Sequence, residues 1–320
     1  MNRVIAWIYS STLNLTLVIF LPYCKMNDYF KNAKLSEASK KKYNSFVGKW
    51  LSFGIGSMNE VIASPSKAMK ALEESGVSLS PASKHNYISA VVGYILHCTP
   101  PDQQALHKPK WIELQTSNQQ PIQERYENQV MTERQEETSI TWEQLLAARK
   151  ANPDNLLLAI YTYIPPVRAD YNELMIFRPS DTIPETGNYN YIVLGTDYML
   201  VLQEFKTATT YKKIQQVIPE PLKRIIDKSL LERPRSYLFA LESGSPMSSA
   251  YFSAWAGGQL TKMLKQKTNL TAIRHAYVEN IDYNMPYREL KKITNLMGHS
   301  VERSMLYKLK KGEMPKQKSE

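Results

Sequence analysis

The chain has 320 residues and a formal charge of +10, from 40 Lys and Arg against 30 Asp and Glu, with 43% hydrophobic content. That length supports two domains with separate cores, and that charge favours a polyanionic partner, nucleic acid or an anionic membrane surface. The two cysteines, Cys24 and Cys98, have no CxxC spacing, and the five histidines show neither HExxH nor paired i, i+4 spacing. A zinc site and a disulfide framework are therefore not indicated, and a reducing compartment is the simpler reading. The sequence has no internal repeat and no glycine-rich loop of the phosphate- or dinucleotide-binding kind.

From Val4 to Cys24 there is no charge, over a length close to the roughly 20 residues of a membrane span. Ser10, Ser11, Thr12, Asn14 and Thr16 interrupt it, and no small-x-small cleavage site follows the basic end at Arg3. Two readings stand for residues 1–25: a membrane or core segment, or a stretch preceding a functional start at Met26. Membrane association rests on residues 4–24 alone.

Residues 26–100 are expected to form a helical unit. Tyr43, Phe46, Val47, Trp50 and Leu51 repeat at helical spacing behind Ser36 as N-cap. A second helix opens at Ser80-Pro81 and runs through Tyr87, Ile88, Val91, Val92, Tyr94 and Ile95 to Pro100-Pro101. Lys40, Lys41 and Lys42 lie on the first helix, and Lys84 and His85 open the second. Taken alone these are a solvated face, although basic helix starts of this kind are also compatible with phosphate contacts along a duplex.

Residues 101–138, rich in Pro, Gln, Asn and Glu, read as a linker with a short helix around Ile122 to Thr132. Thr141-Trp142-Glu143-Gln144 is a capping-box pattern that opens the second domain, taken as 139–311 with a polar tail at 312–320. Helices are expected over Leu156–Tyr163 and Ala169–Met175. Alternation over Tyr189–Val193, Met199–Leu202 and Ile214–Ile218 predicts a small three-stranded antiparallel sheet, with Lys206 between the second and third strands. Helices resume at Pro221, Ser248, Thr271, Pro286 and Ser300. The fold class is mainly α with a small antiparallel β-sheet (α+β).

Chemistry concentrates in this second domain. Arg168 stands in Tyr163-Ile164-Pro165-Pro166-Val167-Arg168-Ala169-Asp170-Tyr171, and Lys206 follows Phe205. Arg274-His275 sits in an otherwise apolar helix, His299 in Leu296-Met297-Gly298-His299-Ser300, and Tyr307 lies eight residues after His299. A guanidinium offers fixed paired donors to two non-bridging phosphate oxygens and stays charged, so two of them suit a pentacoordinate phosphorus transition state. A tyrosine hydroxyl is a weak nucleophile at neutral pH and needs such a positive field or a base.

In this order Arg, Lys, Arg-His, Gly-His-Ser and Tyr resemble the tyrosine recombinase (phage integrase) family, over about residues 139–311. The Pro-Pro-x-Arg-x-Asp-Tyr form around Arg168 looks more like recombinases of large DNA viruses and eukaryotic mobile elements. The resemblance implies an N-terminal helical core-binding domain that clamps DNA and a C-terminal catalytic domain. It implies Tyr307 as nucleophile, Arg168, Arg274 and His299 on the scissile phosphate, and Lys206 as proton donor to the leaving 5′-oxygen, with Lys212 and Lys213 as competitors or DNA contacts. It also implies double-stranded DNA as substrate, a homotetramer on paired sites, no metal or other cofactor, and an intracellular location at DNA, in a host nucleus or virus replication site.

Three places depart from the pattern. Thr271 stands where the family usually has a histidine, three residues before Arg274. Tyr171 replaces an acidic residue, so adjacent Asp170 is expected to take over its buttressing role. The His299–Tyr307 spacing is one residue short. His275 is expected to support the site rather than to act in it. Alternatives are DNA relaxation of the type IB topoisomerase kind, a DNA-binding relative without catalysis, and a membrane-anchored protein.

Overall fold

The computed structural model describes residues 28–77, 79–184 and 187–308. The readings made for residues 1–25 and for the tail at 312–320 lie outside them. Among the described residues no helix is long and apolar enough to cross a membrane. The chain divides into two compact units at Ile122/Gln123.

The first unit contains α1 (Glu37–Ser52), α2 (Met58–Ala63), α3 (Pro65–Glu74), α4 (Pro81–Cys98) and most of α5 (Pro101–Glu127). Ser36, Ser57 and Ser80 cap α1, α2 and α4 by accepting the N–H three residues on. Each cap satisfies a donor that the helix cannot satisfy internally. The core is aromatic: Trp50 meets Tyr87 and Trp111 edge to face at 5.8 and 6.2 Å between centroids. Both buried indoles also find acceptors, Trp50 on the Tyr87 carbonyl and Trp111 on that of Ile62, each at 3.1 Å.

The stretch 101–138, expected as a linker, is mostly helical. α5 runs for 27 residues despite Pro109 and Pro121 in its interior, and it buries Trp111. Each proline removes a helical hydrogen bond, which is why the composition reads as irregular; the anchoring of Trp111 in the aromatic core outweighs that local preference. A left-handed Gln129 (φ 58°) ends the turn after α5, and α6 (Glu133–Thr138) follows behind a capping box at Thr132.

The second unit continues with α7 (Trp142–Ala151), opened by the expected Thr141 capping box, and α8 (Leu156–Tyr163). β1 (Met175–Phe177), β2 (Tyr191–Leu194), β3 (Tyr198–Leu202), α9 (Ala208–Tyr211) and β4 (Ile214–Val217) come next. α10 (Glu220–Glu232), α11 (Ser249–Leu264), α12 (Leu270–Glu279), α13 (Tyr287–Leu296) and α14 (Val301–Leu306) follow among the described residues.

Among the described residues the sheet has four strands, in the order β1-β2-β3-β4. The three expected strands pair antiparallel, β2 with β3 and β3 with β4. The fourth, β1, adds parallel to β2 at Met175↔Tyr191, so the sheet is mixed. Ala169–Met175, expected as a helix, instead turns from Arg168 to Glu173 and ends in β1. Pro165 holds Ile164 extended (φ −130°, ψ 157°), and the Asp170 carboxylate accepts the Arg168 backbone N–H at 3.0 Å, a local bond that competes with helix.

Candidate active site

Arg274 lies in the middle of α12 and is 2% exposed. Its neighbours on the helix, Ile273, Ala276 and Val278, bury into the core, so the guanidinium is carried inside with them. Arg168 stands at the turn after α8, its carbonyl accepting from the Tyr161 hydroxyl at 2.6 Å. His299 is also 2% exposed and follows Gly298, whose φ of 66° suits glycine. A Cβ at Gly298 would meet Thr207 Oγ1 at 3.0 Å, and that hydroxyl donates to the Gly298 carbonyl at 3.0 Å.

These elements bring three side chains onto one point. Nη2 of Arg168 lies 3.3 Å from His299 Nε2, and Nη2 of Arg274 is hydrogen-bonded to the same nitrogen. Facing two donors, Nε2 carries the lone pair, which leaves the proton on Nδ1. Burial, then Arg274 and Arg168, push the His299 pKa down to about 2, so the ring is neutral. Burial and then Arg168 also push the Arg274 guanidinium below its ordinary range.

Among the described residues no carboxylate lies within ion-pair distance of Arg168 or Arg274, although Asp170 acts on both guanidiniums from further away. Among the same residues Arg274 Nη1 and His299 Nδ1 are buried without a hydrogen-bond partner. A buried unsatisfied donor costs about 1–3 kcal/mol, more when charged, unless an acceptor arrives. Asp170 buttresses the Arg168 backbone rather than its guanidinium, and burial raises the pKa of its carboxyl.

Tyr307 stands at the C-cap of α14, its ring centroid 4.7 Å from that of His299. His275 stacks on the same ring at 4.7 Å and 19°, and its Nδ1 is 2.8 Å from the Tyr307 carbonyl. Arg168, Lys206, Thr271, Arg274 and His275 line one cavity of about 1320 Å³. Lys206 and Thr271 are exposed at its wall. Lys212 and Lys213 are exposed and do not line it; Lys212 is a left-handed C-cap (φ 59°) after α9.

Asn190 is among the residues that escaped the sequence reading. Asn190, 8% exposed, donates to the carbonyls of Asp170 and Glu204, each at 2.8 Å, and accepts the N–H groups of Gln203 and Glu204. It fastens the Arg168 turn to the segment carrying Lys206. Its only sequence signal is an amide within the alternating Tyr189–Val193 run. In the first unit, Lys40 reaches Glu37, Lys42 reaches Asn86 at 2.9 Å and Lys84 reaches Glu73 at 2.9 Å, while Lys41 is exposed.

Among solved structures the chain is similar to a lambda integrase dimer bound to a COC′ core site, at 14% identity and TM-score 0.50, over 89% of this chain and 95% of that one. The chain has the tyrosine recombinase fold. A Tn1549 transposon integrase in complex with transposon right-end DNA (14% identity, TM-score 0.46, 87% and 91% covered) also matches. So does XerA recombinase (15% identity, TM-score 0.37, 87% and 89% covered). No family model and no curated protein matches the chain. Within this recombinase fold, Arg168, Arg274, His299, His275 and Tyr307 meet in space although up to 139 positions separate them (168 to 307).

Proposed function

We propose that the protein is a site-specific DNA recombinase that cuts and rejoins strands through a 3′-phosphotyrosyl intermediate. The observation that carries this reading is the pair of guanidiniums, without a carboxylate partner, converging on a neutral imidazole beside a tyrosine. A scissile phosphate between Arg168 and Arg274 would replace His299 Nε2 as their acceptor and would give Arg274 Nη1 a partner.

The Tyr307 oxygen attacks phosphorus, forming the P–O(Tyr) bond as its phenolic proton passes to solvent; the P–O5′ bond breaks, and the 5′-oxygen departs as a hydroxyl with a proton from Lys206. The partner strand's 5′-hydroxyl then attacks the phosphotyrosine, so the phenol is released and the backbone is resealed. One phosphodiester is exchanged for another, and no ATP is consumed. The developing charge on the non-bridging oxygens falls to the two arginines, with His299 alongside. Thr271 offers a hydrogen bond at the cavity wall and no proton transfer near neutral pH.

The reading extends to double-stranded DNA as substrate, clamped also by Lys40, Lys41, Lys42 and Lys84, with Lys212 and Lys213 as further phosphate contacts. It also extends to a homotetramer on paired sites, acting intracellularly where the DNA lies. A resemblance to recombinases of large DNA viruses and mobile elements makes genome integration the expected setting.

The test is a nicked suicide duplex, drawn from a pool of sequences flanking the gene and incubated with wild type and with Tyr307→Phe. A covalent protein–DNA band in wild type alone supports the reading. Duplex binding with no covalent band across the pool supports a catalytically silent DNA-binding relative. A band accompanied by monomeric relaxation of supercoils, without strand exchange, supports the topoisomerase reading.

A further inference from the structure

We propose that the last turn of α5 and the turn after it, residues 125–130, form a bracket that positions the nucleophile, acting on Tyr307 through Arg303 and on the last turn of α14 through Gln129. This inference rests on the recombinase reading of Tyr307. Tyr126, Gln129 and Arg303 are positioning residues in it, without contact to the reacting phosphate.

A six-residue helix such as α14 has little stability of its own, so its place must come from tertiary contacts. Tyr307 is its C-cap, where the helix ceases to restrain the side chain. One set of contacts is the packing of His275 and His299 described above. A second comes from the bracket. The Arg303 guanidinium carbon lies 5.5 Å from the Tyr307 ring centroid and 5.3 Å from that of Tyr126. Arg125 lies over Tyr126 in turn, at 4.4 Å. The result is a column of alternating cation and ring: Arg125, Tyr126, Arg303, Tyr307.

The bracket is itself fixed. Arg125 Nη1 donates to the Val130 carbonyl at 2.9 Å and to Gln135 Oε1 at 3.2 Å, which ties it to the capping box of α6. Gln129 holds a left-handed backbone that a non-glycine residue rarely adopts, and its side chain donates to the Met305 carbonyl at 3.2 Å. A glycine would relieve that backbone and would lose the Met305 bond. The use of glutamine at this turn is explained by what its side chain holds.

The experiment uses the full chain and Tyr126→Ala, Tyr126→Phe, Arg303→Ala and Gln129→Gly. The single-turnover rate of covalent complex formation at saturating suicide duplex is read beside the duplex Kd. Tyr126→Ala and Arg303→Ala are expected to slow cleavage about tenfold or more with Kd unchanged, because a small misplacement of the nucleophile is costly. Tyr126→Phe, which keeps the ring, should restore the rate. Gln129→Gly should slow cleavage without lowering Tm, which a merely structural role would not produce. A weakened Kd at unchanged rate would mean that Arg303 and Tyr126 contact DNA, and Tyr126→Phe as slow as Tyr126→Ala would remove the column; either overturns the proposal.

A second readout needs no DNA. Hydrogen–deuterium exchange of amides 301–308 should quicken in Tyr126→Ala and stay at the wild-type rate in Tyr126→Phe. Equal exchange in the two would overturn the bracket. If wild type itself never becomes covalently attached, the recombinase reading fails while this exchange comparison still decides the bracket.

Discussion

The two units treat positive charge in opposite ways. In the first, the basic side chains at the helix starts are exposed or answered: Lys40 by Glu37, Lys42 by Asn86, Lys84 by Glu73. In the second, Arg168 and Arg274 share one neutral imidazole nitrogen, and Arg274 is buried with Nη1 unpaired. Surface pairs of the first kind contribute at most about 1 kcal/mol and are screened by salt. A buried guanidinium with no carboxylate at contact distance is costly, and the proposed function would offset that cost with the scissile phosphate. Unpaired charge inside, rather than charge as such, marks the site.

The comparison is broken most severely at Arg274. Arg274→Ala is expected to slow covalent complex formation by about 10²- to 10³-fold, as loss of a transition-state donor does. Single-turnover kinetics check this, and a rate within a few-fold of wild type would place the phosphate elsewhere. Next comes Asn190→Ala, which leaves the Asp170 and Glu204 carbonyls and the Gln203 and Glu204 N–H groups without their partner. Denaturant unfolding should show a loss of about 1–3 kcal/mol, together with slower cleavage as Lys206 loses its support.

The pH dependence sharpens the contrast. His299 has a folded pKa far below its unfolded value, so the unfolded state binds its proton first as pH falls. Its contribution to stability is full above about 6.5 and is lost progressively below that. His275, also lowered by burial, tilts the same way, whereas half-buried Asp170, raised, tilts the other. Thermal melts from neutral pH down to about pH 4 should therefore fall less steeply in His299→Gln than in wild type. The smallest effect belongs to the first unit: Lys84→Ala should weaken duplex binding uniformly across sequences and lower the salt slope by about one, with the cleavage rate untouched.

What was legible in the sequence follows the range of the interactions. Caps are local, and Ser36, Ser80, Thr141, Ser248 and Ser300 mark helix starts that form as read. The Arg, Lys, Arg-His, Gly-His-Ser and Tyr order was legible because it is a linear pattern. α5 was not, since Pro109, Pro121 and its polar surface argue locally against helix, and only a distant aromatic core answers for Trp111. β1 is three residues long and owes its state to pairing with β2. Asn190, Gln129 and Arg303 were equally hidden, because each matters through partners far away in sequence, as Gln129 does through Met305.

The most direct test of the central claim is to map the attachment point. Wild-type protein trapped on a suicide duplex is digested with nuclease and protease, and the peptide that carries the nucleotide is sequenced by mass spectrometry. A phosphodiester-linked nucleotide on Tyr307, attached through its 3′-phosphate, is the predicted result. An adduct on another tyrosine, or a 5′-linked one, would contradict the account.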